Sequence, residues 1–176
     1  MFIAVKELEQ HTLTIAQRFA PGMIDFHTRD FRQLGVLSTQ AVAELEGREI
    51  RLAGHLETQL EVNCARCLEP MAQQVSTDFD VRYRPVASIV RDEEISLAEE
   101  DTEVGFYRGH GLFLADALAE QVHLALPMRS LCREDCRGLC PQCGANLNRG
   151  SCGCRRTGID SRLAPLAEWK QRRKES

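Results

Sequence analysis

Nowhere does this 176-residue chain hold a run close to the roughly 18 apolar residues that cross a bilayer, so no membrane span is expected. Its opening residues place acids at Glu7 and Glu9 within only a short apolar run, which argues against a signal peptide. The expected setting is therefore cytoplasmic and reducing. No glycine-rich phosphate cradle occurs, and no Gly-x-Ser-x-Gly elbow. The histidines (His11, His27, His55, His110 and His123) are scattered without a pairing motif, and His55 and His123 read as surface or packing residues. With no catalytic constellation in view, the expectation is a protein that is not an enzyme and takes no small-molecule substrate.

What the chain does have is cysteine. Eight cysteines would make four disulfides in a secreted protein, but in a reducing compartment close thiol pairs more often hold a metal. They fall as Cys64-x2-Cys67, Cys132-x3-Cys136, Cys140-x2-Cys143 and Cys152-x-Cys154. Within Cys140-Pro141-Gln142-Cys143-Gly144 a tight turn can aim amides at sulfur, and Gly144 supplies the backbone freedom that a metal knuckle needs. Cys140, Cys143, Cys152 and Cys154 are thus expected to close a tetrahedral zinc site. Cys64, Cys67, Cys132 and Cys136 are expected to form a second, giving two zinc ions. Spacing alone leaves an exchange of pairs between the sites open.

Other thiol chemistry fits less well. Cys136-x3-Cys140-x2-Cys143 has the radical-SAM spacing, but only 33 residues follow Cys143, too few for the chain those enzymes place behind it. Cys64-Ala65-Arg66-Cys67 lacks the βαβ setting of a thioredoxin-type pair. A four-cysteine iron–sulfur cluster matches the ligand count and stays open as a weaker alternative.

Elsewhere the chain reads as α+β: an antiparallel β-meander packed with one or two helices, followed by a zinc-ribbon-like cysteine segment. From Ile50 to Val62 the even positions are Ile50, Leu52, Gly54, Leu56, Thr58, Leu60 and Val62, against Arg51, His55, Glu57, Gln59 and Glu61 among the odd ones. This period of two predicts a strand with one dry face. Val75 to Tyr83 repeats the pattern, Leu37 to Leu45 does so more weakly, and Leu45 to Glu49 suits a hairpin turn. Residues 87–104 form an expected acidic loop, with seven acids between Asp92 and Glu103. A helix is expected over 112–126, with Leu114, Leu118, Val122 and Ala125 on one stripe and Pro127 ending it. The expected division is 1–127, mainly β, and 128–176, cysteine-rich with a short basic helix to about Lys174.

Charge divides along the same line. Residues 1–127 carry 11 Lys/Arg against 21 Asp/Glu, while residues 128–176 carry 11 against 5. A basic third on an acidic protein points to a polyanionic partner. Arg66, Arg133, Arg137, Arg149, Arg155 and Arg156 lie near cysteines and could donate to thiolate sulfur. The candidate partner-binding residues are Arg149, Arg155, Arg156, Arg162, Lys170, Arg172, Arg173 and Lys174.

Taken together, Cys64-Ala65-Arg66-Cys67-Leu68-Glu69-Pro70, Leu124 to Pro127, Gly138-Leu139-Cys140-Pro141-Gln142-Cys143-Gly144 and Asp160 to Leu166 resemble the YceD family over roughly residues 35 to 170. The resemblance implies a role in accumulation of large-subunit (23S) ribosomal RNA during ribosome biogenesis, without enzymatic activity. It also implies large-subunit rRNA or a ribosome-assembly protein as partner. An adaptor that docks a ribosomal protein or processing enzyme through its acidic face, without touching RNA, is the alternative.

Overall fold

The structure, a computed structural model, describes residues 1–86 and 104–154. Its centre is the ribbon of β4 (Leu37–Glu46), β5 (Glu49–Asn63) and β6 (Pro70–Pro85), which pair in sequence order as antiparallel neighbours. The alternation read from the sequence decides which face is buried. Ile50, Leu52, Leu56 and Leu60 are fully buried and Thr58 nearly so, while Glu57 and Gln59 between them are exposed. Each buried Leu or Ile contributes about 1.5–3 kcal/mol, so this face anchors the core. On the opposite face Arg51 bridges Glu44 and Asp80, and His55 meets Asp78 at 2.7 Å. Gly47 (φ 66°) and Arg48 make the two-residue β4–β5 turn, where a positive φ matches the strand twist.

Short strands complete the sheet. Strand β2 (Leu13–Phe19) pairs with β4 at one edge, and β3 (Phe31–Gln33) continues the line of β4 alongside the far end of β5. Strand β7 (Val104–Tyr107) joins β6 in parallel, a departure from a pure meander. Residues 86–103 between the two strands give the dozen or more residues that a parallel return requires. Val104, placed in the acidic loop by sequence, belongs to β7; the rest of that loop, 87–103, lies outside the described residues.

The expected helix over 112–126 begins two residues later. Gly111–Phe113 forms β8, whose partner is β1 (Phe2–Ala4) at the start of the chain. That distant pairing holds Leu112 and Phe113 extended before α2 (Leu114–Ala125) starts. A single turn of helix, α1 (Val5–Leu8), follows β1. Leu114, Ala117, Leu118 and Val122 form the buried stripe of α2, and the Tyr83 hydroxyl on β6 donates to Glu120 at 3.0 Å. Among the described residues, no helix is long and apolar enough to cross a membrane.

Candidate metal centres

Strand β5 ends at Asn63, and the chain turns at once through Cys64-Ala65-Arg66-Cys67. In this turn the Leu68 amide donates to the Cys64 carbonyl at 2.9 Å, and the Cys64 amide to the Glu69 carbonyl at 2.9 Å. The turn at Cys140 repeats both bonds: Gly144 to the Cys140 carbonyl at 2.9 Å, and Cys140 to the Ala145 carbonyl at 2.8 Å. The fifth residue is left-handed in each, Gly144 at φ 71° and Leu68 at φ 59°. The chain therefore contains two knuckles of one design, and only one carries the glycine that advertises it.

Each knuckle meets a second thiol pair. Cys64, Cys67, Cys132 and Cys136 form one cluster, and Cys140, Cys143, Cys152 and Cys154 the other, with all sulfurs of a cluster within 4.8 Å of one another. In the first, Cys64 and Cys136 stand 3.8 Å apart and Cys67 and Cys132 stand 3.7 Å apart. Four sulfurs at about 2.3 Å from a tetrahedral ion would be separated by about 3.8 Å. A disulfide would bring two of them to about 2.05 Å, and all eight cysteines are free. Both clusters could hold a metal ion.

Their surroundings differ. Cys64, Cys67 and Cys136 are buried with Met71 and Leu131 against them, and only Cys132 is exposed. In the second cluster Cys140 is buried, whereas Cys143 and Cys154 are exposed. Amides of Cys132, Cys67 and Arg66 pull the Cys64 thiol down to about 6, and those of Cys143 and Gln142 do the same for Cys140. The Asn148 side chain leads in lowering Cys136. Burial, then the neighbouring thiols, push Cys132 up to about 12; Cys143, then burial, does so for Cys154. Without a cation the first thiolate in each cluster opposes the next, and a divalent ion reverses that order.

Among the described residues, backbone amides and an asparagine donate to sulfur rather than the side chains of Arg66, Arg133 and Arg149; Arg155 and Arg156 lie outside the described residues. Backbone amides of Arg66 and Cys132 reach Cys64, and the Asn148 carboxamide reaches Cys136. The Arg66 guanidinium donates to the Glu134 and Cys136 carbonyls, Arg133 to Asn148, and Arg149 to Glu69 at 2.6 Å. Asn148 was missed because nothing in its local sequence marks it; its role depends on which loop folds against which cluster.

All eight cysteines lie within residues 52–170, the stretch that matches the family described as "Large ribosomal RNA subunit accumulation protein YceD". The chain belongs to the YceD family. Similar proteins include an uncharacterized protein of Mycobacterium tuberculosis (strain ATCC 25618 / H37Rv), 29% identical over 85% of this chain and 69% of the relative. The maize "Large ribosomal RNA subunit accumulation protein YCED homolog 1, chloroplastic" is 29% identical over 74% of this chain and 52% of its own length. Its Arabidopsis thaliana counterpart is 22% identical over 70% and 45%. The chain thus spans about half of each plant relative. No solved structure matches it. Of the basic candidates for a YceD-family partner surface, Arg149 is described and is paired with Glu69. Arg155, Arg156, Arg162, Lys170, Arg172, Arg173 and Lys174, with the expected C-terminal helix, lie outside the described residues.

Proposed function

We propose that this protein is a non-catalytic cytoplasmic accessory factor that promotes accumulation and maturation of 23S rRNA, with one structural zinc ion in each cysteine cluster. Membership of the YceD family, across a match that includes every cysteine, carries this reading. Zinc is favoured because each cluster offers four thiolates and no open position, the arrangement of a closed structural site. An iron–sulfur cluster spreads its thiolates over several irons, which suits sulfurs all within 4.8 Å less well. Arg and Lys in residues 128–176 would meet phosphates, giving binding that weakens steeply with salt.

The acidic balance of residues 1–127 favours a second reading, an adaptor that docks a basic ribosomal protein or processing enzyme without RNA contact. Elemental analysis of the purified protein, with sequencing of copurifying RNA, tests the first reading: two zinc ions per chain and enrichment of 23S fragments are expected. Replacing Arg172, Arg173 and Lys174 should flatten the salt slope of RNA binding. A protein partner that stays bound after nuclease treatment, with no rRNA enrichment, would refute direct RNA contact and favour the adaptor.

A further inference from the structure

Asn148 lies between Cys143 and Cys152 and so belongs by sequence to the Cys140 cluster, yet its side chain serves the other one. Its Nδ2 donates to Cys136 Sγ at 3.2 Å. Its Oδ1 accepts from the Arg137 amide at 2.8 Å and from Arg133 Nη2 at 2.9 Å. Two donors on the oxygen fix the carboxamide so that its N–H faces sulfur. The Asn148 amide is itself held by Asn146 Oδ1 at 2.9 Å.

Backbone contacts tie the same two regions together. The Leu139 amide donates to the Arg66 carbonyl at 3.1 Å, and the Leu147 amide to the Gly138 carbonyl at 2.9 Å. The loop that carries Asn148 is short and rich in Gly, Asn and Arg, with too little apolar surface to order itself. Convergence of Cys140, Cys143, Cys152 and Cys154 on one ion would order it, and ordering delivers Asn148 to Cys136.

We infer that Asn148 is a positioning residue that couples the two cysteine clusters, so that an ion bound in either raises the affinity of the other. This rests on the reading that each cluster takes one zinc ion. Binding linkage is reciprocal, so the gain is equal in both directions. Hydrogen-bonded partners of metal ligands are typically worth 10–100-fold in affinity, which sets the expected size.

The test titrates zinc into the metal-free full chain against a chromophoric chelator, with cobalt reporting thiolate coordination. Cys143→Ser, which disables the Cys140 cluster, should weaken zinc binding at the Cys64 cluster about 10–100-fold. Cys132→Ser should weaken the Cys140 cluster by the same factor. Asn148→Asp keeps the acceptor for Arg133 and Arg137 but turns a carboxylate oxygen toward Cys136. It should weaken the Cys64 cluster as Cys143→Ser does, and the double variant should be no weaker than the single ones. Far-ultraviolet circular dichroism confirms that the sheet survives in each variant. One zinc ion bound with wild-type affinity in the remaining cluster of the Cys143→Ser chain would overturn the coupling and leave the metal reading standing, whereas a wild-type chain that binds no zinc would overturn the metal reading itself.

Discussion

Gly138 and Gly109 have almost the same backbone, φ 73° and 72°, in different surroundings. A Cβ at Gly109 would meet nothing within 4 Å. One at Gly138 would lie 3.0 Å from the Arg66 carbonyl oxygen and 3.3 Å from the Arg66 Cβ. That carbonyl also accepts the Leu139 amide, the bond that joins the two cysteine knuckles. Alanine at either position should cost about 1–2 kcal/mol for its left-handed conformation. At Gly138, crowding that weakens one hydrogen bond should add about 1 kcal/mol. For a chain of this length each kcal/mol moves the melting temperature by about 2–4 °C. Thermal melts of the metal-loaded protein should therefore fall by about 2–8 °C for Gly109→Ala and about 4–12 °C for Gly138→Ala. Zinc affinity should drop only for the second. Equal losses at the two positions, with zinc affinity untouched, would refute the idea that the Arg66–Gly138 contact joins the clusters.

Three further outcomes are expected. Thr58 is buried and its hydroxyl has no hydrogen-bond partner among the described residues, so Thr58→Val should raise stability by about 1 kcal/mol in urea unfolding. The Asp80 carboxyl is held below its ordinary range, chiefly by the Arg51 hydrogen bond. Its contribution, under about 1 kcal/mol because the pair is solvent-facing, is present above the unfolded carboxyl value and is lost as pH falls through the lower folded one. Asp80→Asn should flatten stability against pH in that acidic window alone. A strong chelator should expose amides of residues 128–154 to hydrogen exchange while those of β4 to β6 stay protected; simultaneous exposure would show that the sheet depends on the metal clusters.

What the sequence disclosed follows from which signals are local. The strands β4 to β6 and the burial of Ile50, Leu52, Leu56 and Leu60 were readable because period-two alternation needs no knowledge of partners. The short strands β1, β3 and β8 were not: three residues carry too little pattern, and Phe2 and Phe113 are strand residues only because they meet. The same logic governs the candidate metal centres. Close cysteine pairs marked both groups of four as metal candidates, and the fold that sets residues 64–67 beside 132–136 decides the pairing that spacing leaves open. Arginine is the donor that a sequence offers for sulfur, because its charge is conspicuous there. Among the described residues, amides and an asparagine make the contacts with sulfur because they are already held at the right place. Leu68, left-handed without being glycine, hid the likeness between the two knuckles.

Strand β5 runs fifteen residues without a break, a contour of roughly 50 Å at the usual rise. Its hairpin at Gly47 and Arg48 and its cysteine knuckle at Cys64 occupy opposite tips of that span. The protein is accordingly built like a ruler with its thiol chemistry at one end. A fluorophore or affinity tag installed at Arg48 would therefore sit at the tip farthest from the Cys64 knuckle and leave both cysteine clusters untouched.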